Sequence, residues 1–167
     1  MKLDIISVLS DEDIAQVAAL AREIWTEYFT PIIGRQQVEY MLTHFQSPAA
    51  LKRQLSAGSE YYLAKAANEL VGYIGLIPDP HLNTIMLSKF YVKRSMRGKG
   101  VGSGFLQFTE QKCVLEEISS IWLTVNKHND DAVEWYKRRG FQITDKVKKD
   151  IGDGFYMDDF VMHKSML

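Results

Sequence analysis

One cysteine, Cys113, is all the thiol this 167-residue chain contains, which excludes an internal disulfide and fits a reducing compartment. It falls in a helical pattern with Phe108, Val114 and Leu115, and reads as a buried structural thiol. Long apolar runs are missing too. None approaches the ~20 residues that crossing a bilayer demands, and Met1-Lys2-Leu3-Asp4 opens no stretch of the signal-peptide kind. No membrane partner is expected, and a cytoplasmic location follows. Nor is charge of one sign in excess: 20 basic against 21 acidic residues leave a formal net charge of -1. A general nucleic-acid-binding surface needs a basic surplus, so nucleic acid is set aside as a partner. The histidines at positions 44, 81, 128 and 163 show no ligand spacing, and no metal is expected.

What is present suits one domain spanning residues 1–167, with 46% apolar residues to fill a core. No repeat, low-complexity segment or linker divides it. Leu3 to Leu9 reads as a strand, and Ser10-Asp11-Glu12-Asp13 as a capping-box-like helix start. Ile14, Val17, Ala18, Ala21, Trp25 and Tyr28 then share one helical face, and Pro31 is expected to end the helix. A second helix carries Val38, Met41, Leu42 and Phe45, and Ser47-Pro48 opens one or two further turns. Tyr61 to Lys65 and Leu70 to Ile77 form a hairpin, and Pro78-Asp79-Pro80 precedes a strand from Thr84 to Val92. Beyond a helix from Val101 to Leu115 come a strand (Ile121 to Val125), a helix (Asn129 to Arg139) and two strands (Phe141 to Val147, Phe155 to His163). The order β-α-α-β-β-β-α-β-α-β-β predicts an α/β (α+β) domain. Its sheet of about seven strands is mixed and mostly antiparallel, with about four helices flanking it and one right-handed parallel crossover.

Arg97-Gly98-Lys99-Gly100-Val101-Gly102 lies where the Thr84–Val92 strand turns into a helix. Glycines let main-chain N–H groups converge, and at a helix start those donors and the helix dipole favour phosphate. Gly98, Gly100, Gly102 and Gly104 supply no G-x-G-x-x-G, and no Gly-Lys-Ser/Thr ending follows, which disfavours dinucleotide and P-loop sites. The remaining pattern, R-x-x-G-x-G, resembles the pyrophosphate loop of the GNAT superfamily of acetyl-CoA-dependent N-acyltransferases. Downstream, a buried-strand pattern leads into Asn129, suited to a helix N-cap, with Ala132 and Tyr136 on the same helix face and Gly140-Phe141 closing the segment. N-x-x-A-x-x-x-Y-x-x-x-G-F in that place resembles the second characteristic region of the same superfamily. The combined match covers roughly Leu70 to Phe141.

The resemblance implies a sheet splayed between its fourth and fifth strands, with acetyl-CoA as co-substrate in the gap. Pantetheine would pair with backbone near Tyr91 and Val92. Pyrophosphate would sit on Arg97, Gly98, Lys99, Gly100, Val101 and Gly102, and Asn129 would hold the cofactor at the second helix mouth. Tyr136 would protonate the departing thiolate of coenzyme A, and a backbone N–H near Val92 would meet the oxyanion. Trp135 is expected to serve packing. Many relatives carry a glutamate on the strand before the loop. Here Leu87-Ser88-Lys89-Phe90 offers no carboxylate, and no base is assigned. Trp25, Tyr28, Phe29 and Tyr156, with Glu23, Glu27, Asp158 and Asp159 nearby, are the candidates for an acceptor site. Aromatic and acidic groups together suit a cationic amine, and the wider pattern resembles bacterial polyamine-acetyltransferase-like members. A small amine or polyamine is the first expectation for the acceptor, and a protein amino terminus or lysine the second. A non-catalytic acyl-CoA sensor is the reading from another class. Dimers are frequent among relatives, so a homodimer is expected.

Overall fold

The computed structural model describes residues 2–167. Seven strands form one sheet: β1 (Leu3–Ser7), β2 (Glu60–Ala66), β3 (Glu69–Asp79), β4 (Thr84–Val92), β5 (Ser120–Asn126), β6 (Gln142–Gly152) and β7 (Phe155–Ser165). Five helices accompany them: α1 (Asp11–Ile33), α2 (Arg35–Phe45), α3 (Pro48–Ser56), α4 (Val101–Leu115) and α5 (Asp130–Arg138). The spatial order is β1-β2-β3-β4-β5-β7-β6, antiparallel throughout except for the parallel β4–β5 pair. The mixed, mostly antiparallel sheet predicted from the sequence is therefore the one present.

Each sheet face buries its own core. Phe105 and Leu106 of α4 and Val133 and Tyr136 of α5 pack with Ile85, Leu87, Ile121 and Leu123 on one face. Trp25, Phe29, Leu42 and Leu51 of α1, α2 and α3 pack with Leu63 and Tyr73 on the other. Strand alternation sends neighbouring side chains to opposite cores, so in β4 Phe90 belongs to the first and Tyr91 to the second.

Pro31 does not end α1. It stands in the last turn with its ring exposed, so the Glu27 carbonyl it leaves free is open to water, and the helix runs on to Gly34 (φ 87°). The turns after Ser47 amount to a full helix, α3, capped by the Ser47 hydroxyl at 3.2 Å from the Ala50 amide. The β2–β3 hairpin closes through Ala67 (φ 51°) and Asn68 (φ 65°), the two positive-φ positions of a tight, twist-matched turn.

One irregularity positions everything that follows. β4 and β5 pair only at Thr84–Ser120, Ile85–Ile121 and Met86–Trp122, although β4 continues to Val92 and β5 to Asn126. The β3–β4 ladder shifts between Gly75 and Leu76, which leaves Ser88 as an extra residue at the point of divergence. A bulge bends and twists its strand, and beyond it the sheet opens.

Candidate active site

The opening between β4 and β5 is the mouth of a cavity of about 750 Å³ that passes from one sheet face to the other. On the α4–α5 side its lining includes Phe90, Arg97, Gly98, Gly102, Asn129, Trp135 and Tyr136. The glycine loop is built as the sequence implied. Gly98 (φ 74°) and Gly100 (φ 89°) hold backbone conformations in which a Cβ would be strained, and Gly100 is the N-cap of α4. Among the described residues no protein acceptor takes the amides of residues 98 to 103, so these donors remain available at the positive end of a 15-residue helix. Gly102 is small for a different reason, since a Cβ there would stand 3.3 Å from the Trp135 ring. Lys99 is exposed, whereas the Val101 side chain is buried beneath the loop and leaves only its main chain to serve a ligand.

Asn129 caps α5, its Oδ1 accepting from the Ala132 amide at 3.3 Å and from the Tyr28 hydroxyl at 2.6 Å. The Arg97 guanidinium lies over the Tyr28 ring, 4.3 Å from its centre, and Arg97 Nε donates to the Val92 carbonyl. Tyr28, expected on the acceptor wall, thus ties α1 to the glycine loop and to the α5 mouth. Trp135 does more than pack: it lines the mouth, with the Arg139 guanidinium 3.6 Å from its ring centre. Tyr136 lies deeper, 8% exposed and facing the cavity between Phe90 and Phe141. Burial, with Tyr28 nearby, pushes its phenol well above the usual range, so it holds its proton at neutral pH.

On the α1–α2 side the cavity is walled by Trp25, Phe29, Met41, Phe45, Ile151 and Met157, and its polar members include Gln46, Lys89, Thr124, Lys149 and Asp159. Tyr91 stands at the centre among Trp25, Phe29 and Tyr73. Burial raises its phenol, and the neighbouring Tyr136 and Asp159 add to that. All three line the same cavity. Asp159 is 5% exposed and has no cationic partner among the described residues. Burial, reinforced by Asp158, pushes its carboxyl up to about 6, while the Thr124 hydroxyl beside it works the other way.

The other acceptor candidates lie elsewhere. Tyr156 is 50% exposed and sits under Lys148, outside the cavity. Alternation along β7 is the cause, since Met157 and Asp159 turn inward and Tyr156 and Asp158 turn away. Asp158 pairs with Lys127 at 2.5 Å, Glu23 with Lys93 at 3.6 Å and Glu27 with Arg94 at 3.5 Å. The acidic surround expected of the acceptor site thus shrinks to one carboxylate there, Asp159, with Asp131 in the first turn of α5. Lys89 and Gln46 were not singled out from the sequence. The signal for Lys89 was the lone charged residue of a mostly apolar strand, whereas Gln46 carried none.

Residues 18–141 match the model of the acetyltransferase (GNAT) family, about three-quarters of the chain. The chain belongs to this family. An uncharacterised N-acetyltransferase of Lactobacillus delbrueckii subsp. lactis is 24% identical over 166 residues, 95% of each chain. The PaiA N-acetyltransferase of Thermoplasma acidophilum, solved with coenzyme A, is 26% identical over 99% of each chain, with a TM-score of 0.80. A GCN5-related N-acetyltransferase of Rhodopseudomonas palustris shares the fold at a TM-score of 0.82, covering 99% of this chain and 96% of that one. The protein is thus an acetyl-CoA-dependent N-acetyltransferase, and the cavity is of the kind that such an enzyme needs. Among the described residues no cluster of three or more potential metal ligands occurs, and no helix is long and apolar enough to cross a membrane.

Proposed function

We propose that the enzyme acetylates a small primary amine by direct attack within a ternary complex, with acetyl-CoA seated in the β4–β5 opening. The observation that carries this reading is the three-pair β4–β5 ladder, which opens onto free amides at residues 98 to 103 on one side and onto Tyr136 in the cavity wall. Pyrophosphate binds those amides with help from Arg97 and Lys99. Asn129 holds the cofactor near the α5 mouth, and the pantetheine amides add as a strand along Tyr91 and Val92.

Asp159 takes the ammonium proton of the acceptor, and the free amine nitrogen then attacks the thioester carbonyl. A backbone N–H near Val92 stabilises the oxyanion, the C–N bond forms and the C–S bond breaks. The departing thiolate receives the Tyr136 proton, the second proton lost by the acetylated nitrogen returns Tyr136 to its neutral form, and the proton held by Asp159 passes to solvent, which resets both groups. A carboxyl near 6 remains largely ionised at neutral pH, yet is basic enough to accept a proton in the transition state. The polyamine expectation finds less support, since Lys89 and Lys149 share the acceptor half of the cavity with Asp159. Tyr136 in the lining favours an enzyme over a silent acyl-CoA sensor. A cytoplasmic setting and a homodimer accompany the reading, the first because acetyl-CoA is an intracellular metabolite and the second because dimers are frequent in the family. A thiol-release assay across a panel of primary amines tests the proposal. Amine-dependent release of coenzyme A supports it, and no release with any amine refutes it.

A further inference from the structure

The acceptor half of the cavity holds polar groups of opposite character, with Gln46 and Asp159 buried and Lys89 half-buried, that the acetyl-transfer chemistry does not pair. Asp159, on β7, is an acid without a cation. Across the opening, over β3 and β4, stand donors without an acidic partner. Gln46 is 2% exposed, and its Oε1 accepts from the Tyr73 hydroxyl, but its Nε2 has no partner. The Lys89 Nζ has only the Ser88 hydroxyl, at 3.0 Å, and no carboxylate. Both residues line the cavity, and Lys149 at its rim adds a second positive charge. Pairing places Lys89 beside Gly75 and Tyr91 beside Tyr73, so Lys89 and the Tyr73-bound Gln46 lie on the same side. Two strand spacings, about 10 Å, separate β4 from β7 even where the strands are closest. The cavity that holds both polar ends also has an apolar wall that includes Met41, Phe45, Ile151 and Met157.

An unpaired buried donor such as the Gln46 Nε2 is costly, and the half-buried Lys89 ammonium has given up part of its hydration without a counter-charge. Desolvation pushes Lys89 down to about 8, the sign of an ammonium lacking its counter-charge. We infer that the acceptor is a monoamine with an apolar body and a distal carboxylate, its ammonium meeting Asp159 and its carboxylate meeting Lys89 and Gln46. The inference rests on the acetyl-transfer reading and adds the acceptor's class. A polyamine would instead bring a second ammonium against Lys89 and an amide presenting donors.

Three probes of equal length differ only at the far end: 6-aminohexanoate, hexylamine and 1,6-diaminohexane. Their kcat/KM values in thiol release, and their affinities for the coenzyme A-loaded enzyme by calorimetry, read the far-end contact. A charge-assisted pair is worth ~1.5–3 kcal/mol, so 6-aminohexanoate should exceed hexylamine by about tenfold or more and the diamine by a larger factor. In Lys89→Met, checked for its melting temperature and acetyl-CoA affinity, the ratio of 6-aminohexanoate to hexylamine should fall toward one. The wild-type ranking decides the matter even if that variant fails to fold. Preference for the diamine, no discrimination among the three, or no binding of any of them overturns the inference. The first two results leave amine acetylation standing. Absence of thiol release with every amine in a broader panel refutes the transfer reading itself.

Discussion

Replacing Asp159 with asparagine should raise the stability of the protein and remove most of its activity in the same step. The carboxyl stands near 6 in the folded chain against 3.8 for an unburied aspartate, a difference of about 2 pH units. At ~1.4 kcal/mol per unit, the ionised side chain costs the fold at most about 3 kcal/mol, and about half of that if water in the cavity screens it. The folded state holds its proton more tightly than the unfolded one, so stability falls as pH rises from about 4 to 6, and the whole penalty is present above that. Asparagine has nearly the same shape and no charge. At pH 7.5 Asp159→Asn should therefore melt several degrees above the parent, given ~2–4 °C per kcal/mol for a chain of this size. The two proteins should converge toward pH 4, where both states of the parent hold the proton. Turnover should fall by ~10²–10⁴-fold, as expected for a lost general base, and the acid limb of kcat/KM near pH 6 should disappear. Thermal unfolding at the two pH values and a pH–rate profile supply the readings. A variant that is no more stable at pH 7.5, or that keeps the parent's acid limb, refutes the reasoning.

Tyr136→Phe should preserve acetyl-CoA affinity and lower turnover by ~10²–10⁴-fold, and equal turnover with chemistry rate-limiting would reject Tyr136 as the acid. Gly100→Ala meets no neighbour within 4 Å but must hold φ near 89°, so its cost of ~1–2 kcal/mol comes from the backbone. It should weaken coenzyme A binding in calorimetry by about tenfold while leaving the rest of the fold in place. Phe105→Ala empties a fully buried position beneath the loop and should cost ~3–5 kcal/mol in denaturant unfolding.

What could be read from the sequence was whatever short-range chemistry dictates. The glycine loop must turn at Gly98 and Gly100, and Asn129 must cap the helix that follows, because local backbone needs fix both. The β2–β3 hairpin, expected to turn near Asn68-Glu69 and turning one residue earlier at Ala67-Asn68, and the parallel crossover through α4 followed from the same kind of reasoning. Pro31 misled because a proline stops a helix only where its missing bond and its ring matter, and in an exposed last turn neither does. The acceptor half was harder to see. Tyr156, Asp158 and Asp159 are adjacent in sequence, and only the pairing register of β7 decides which of them turns inward. Lys89 and Gln46 come to one face of the sheet through β3, Lys89 beside Gly75 and Gln46 bonded to Tyr73, so their shared side depends on contacts far apart in the chain. The Ser88 bulge that opens the sheet likewise has no local sequence sign.

A crystal structure with acetyl-CoA bound tests the central claim most directly. The diphosphate should lie on the amides of residues 98 to 103, with the pantetheine between β4 and β5 and the thioester sulfur within hydrogen-bond reach of the Tyr136 hydroxyl. A sheet closed along its whole length, or a diphosphate lodged away from the Arg97–Gly102 turn, would contradict it.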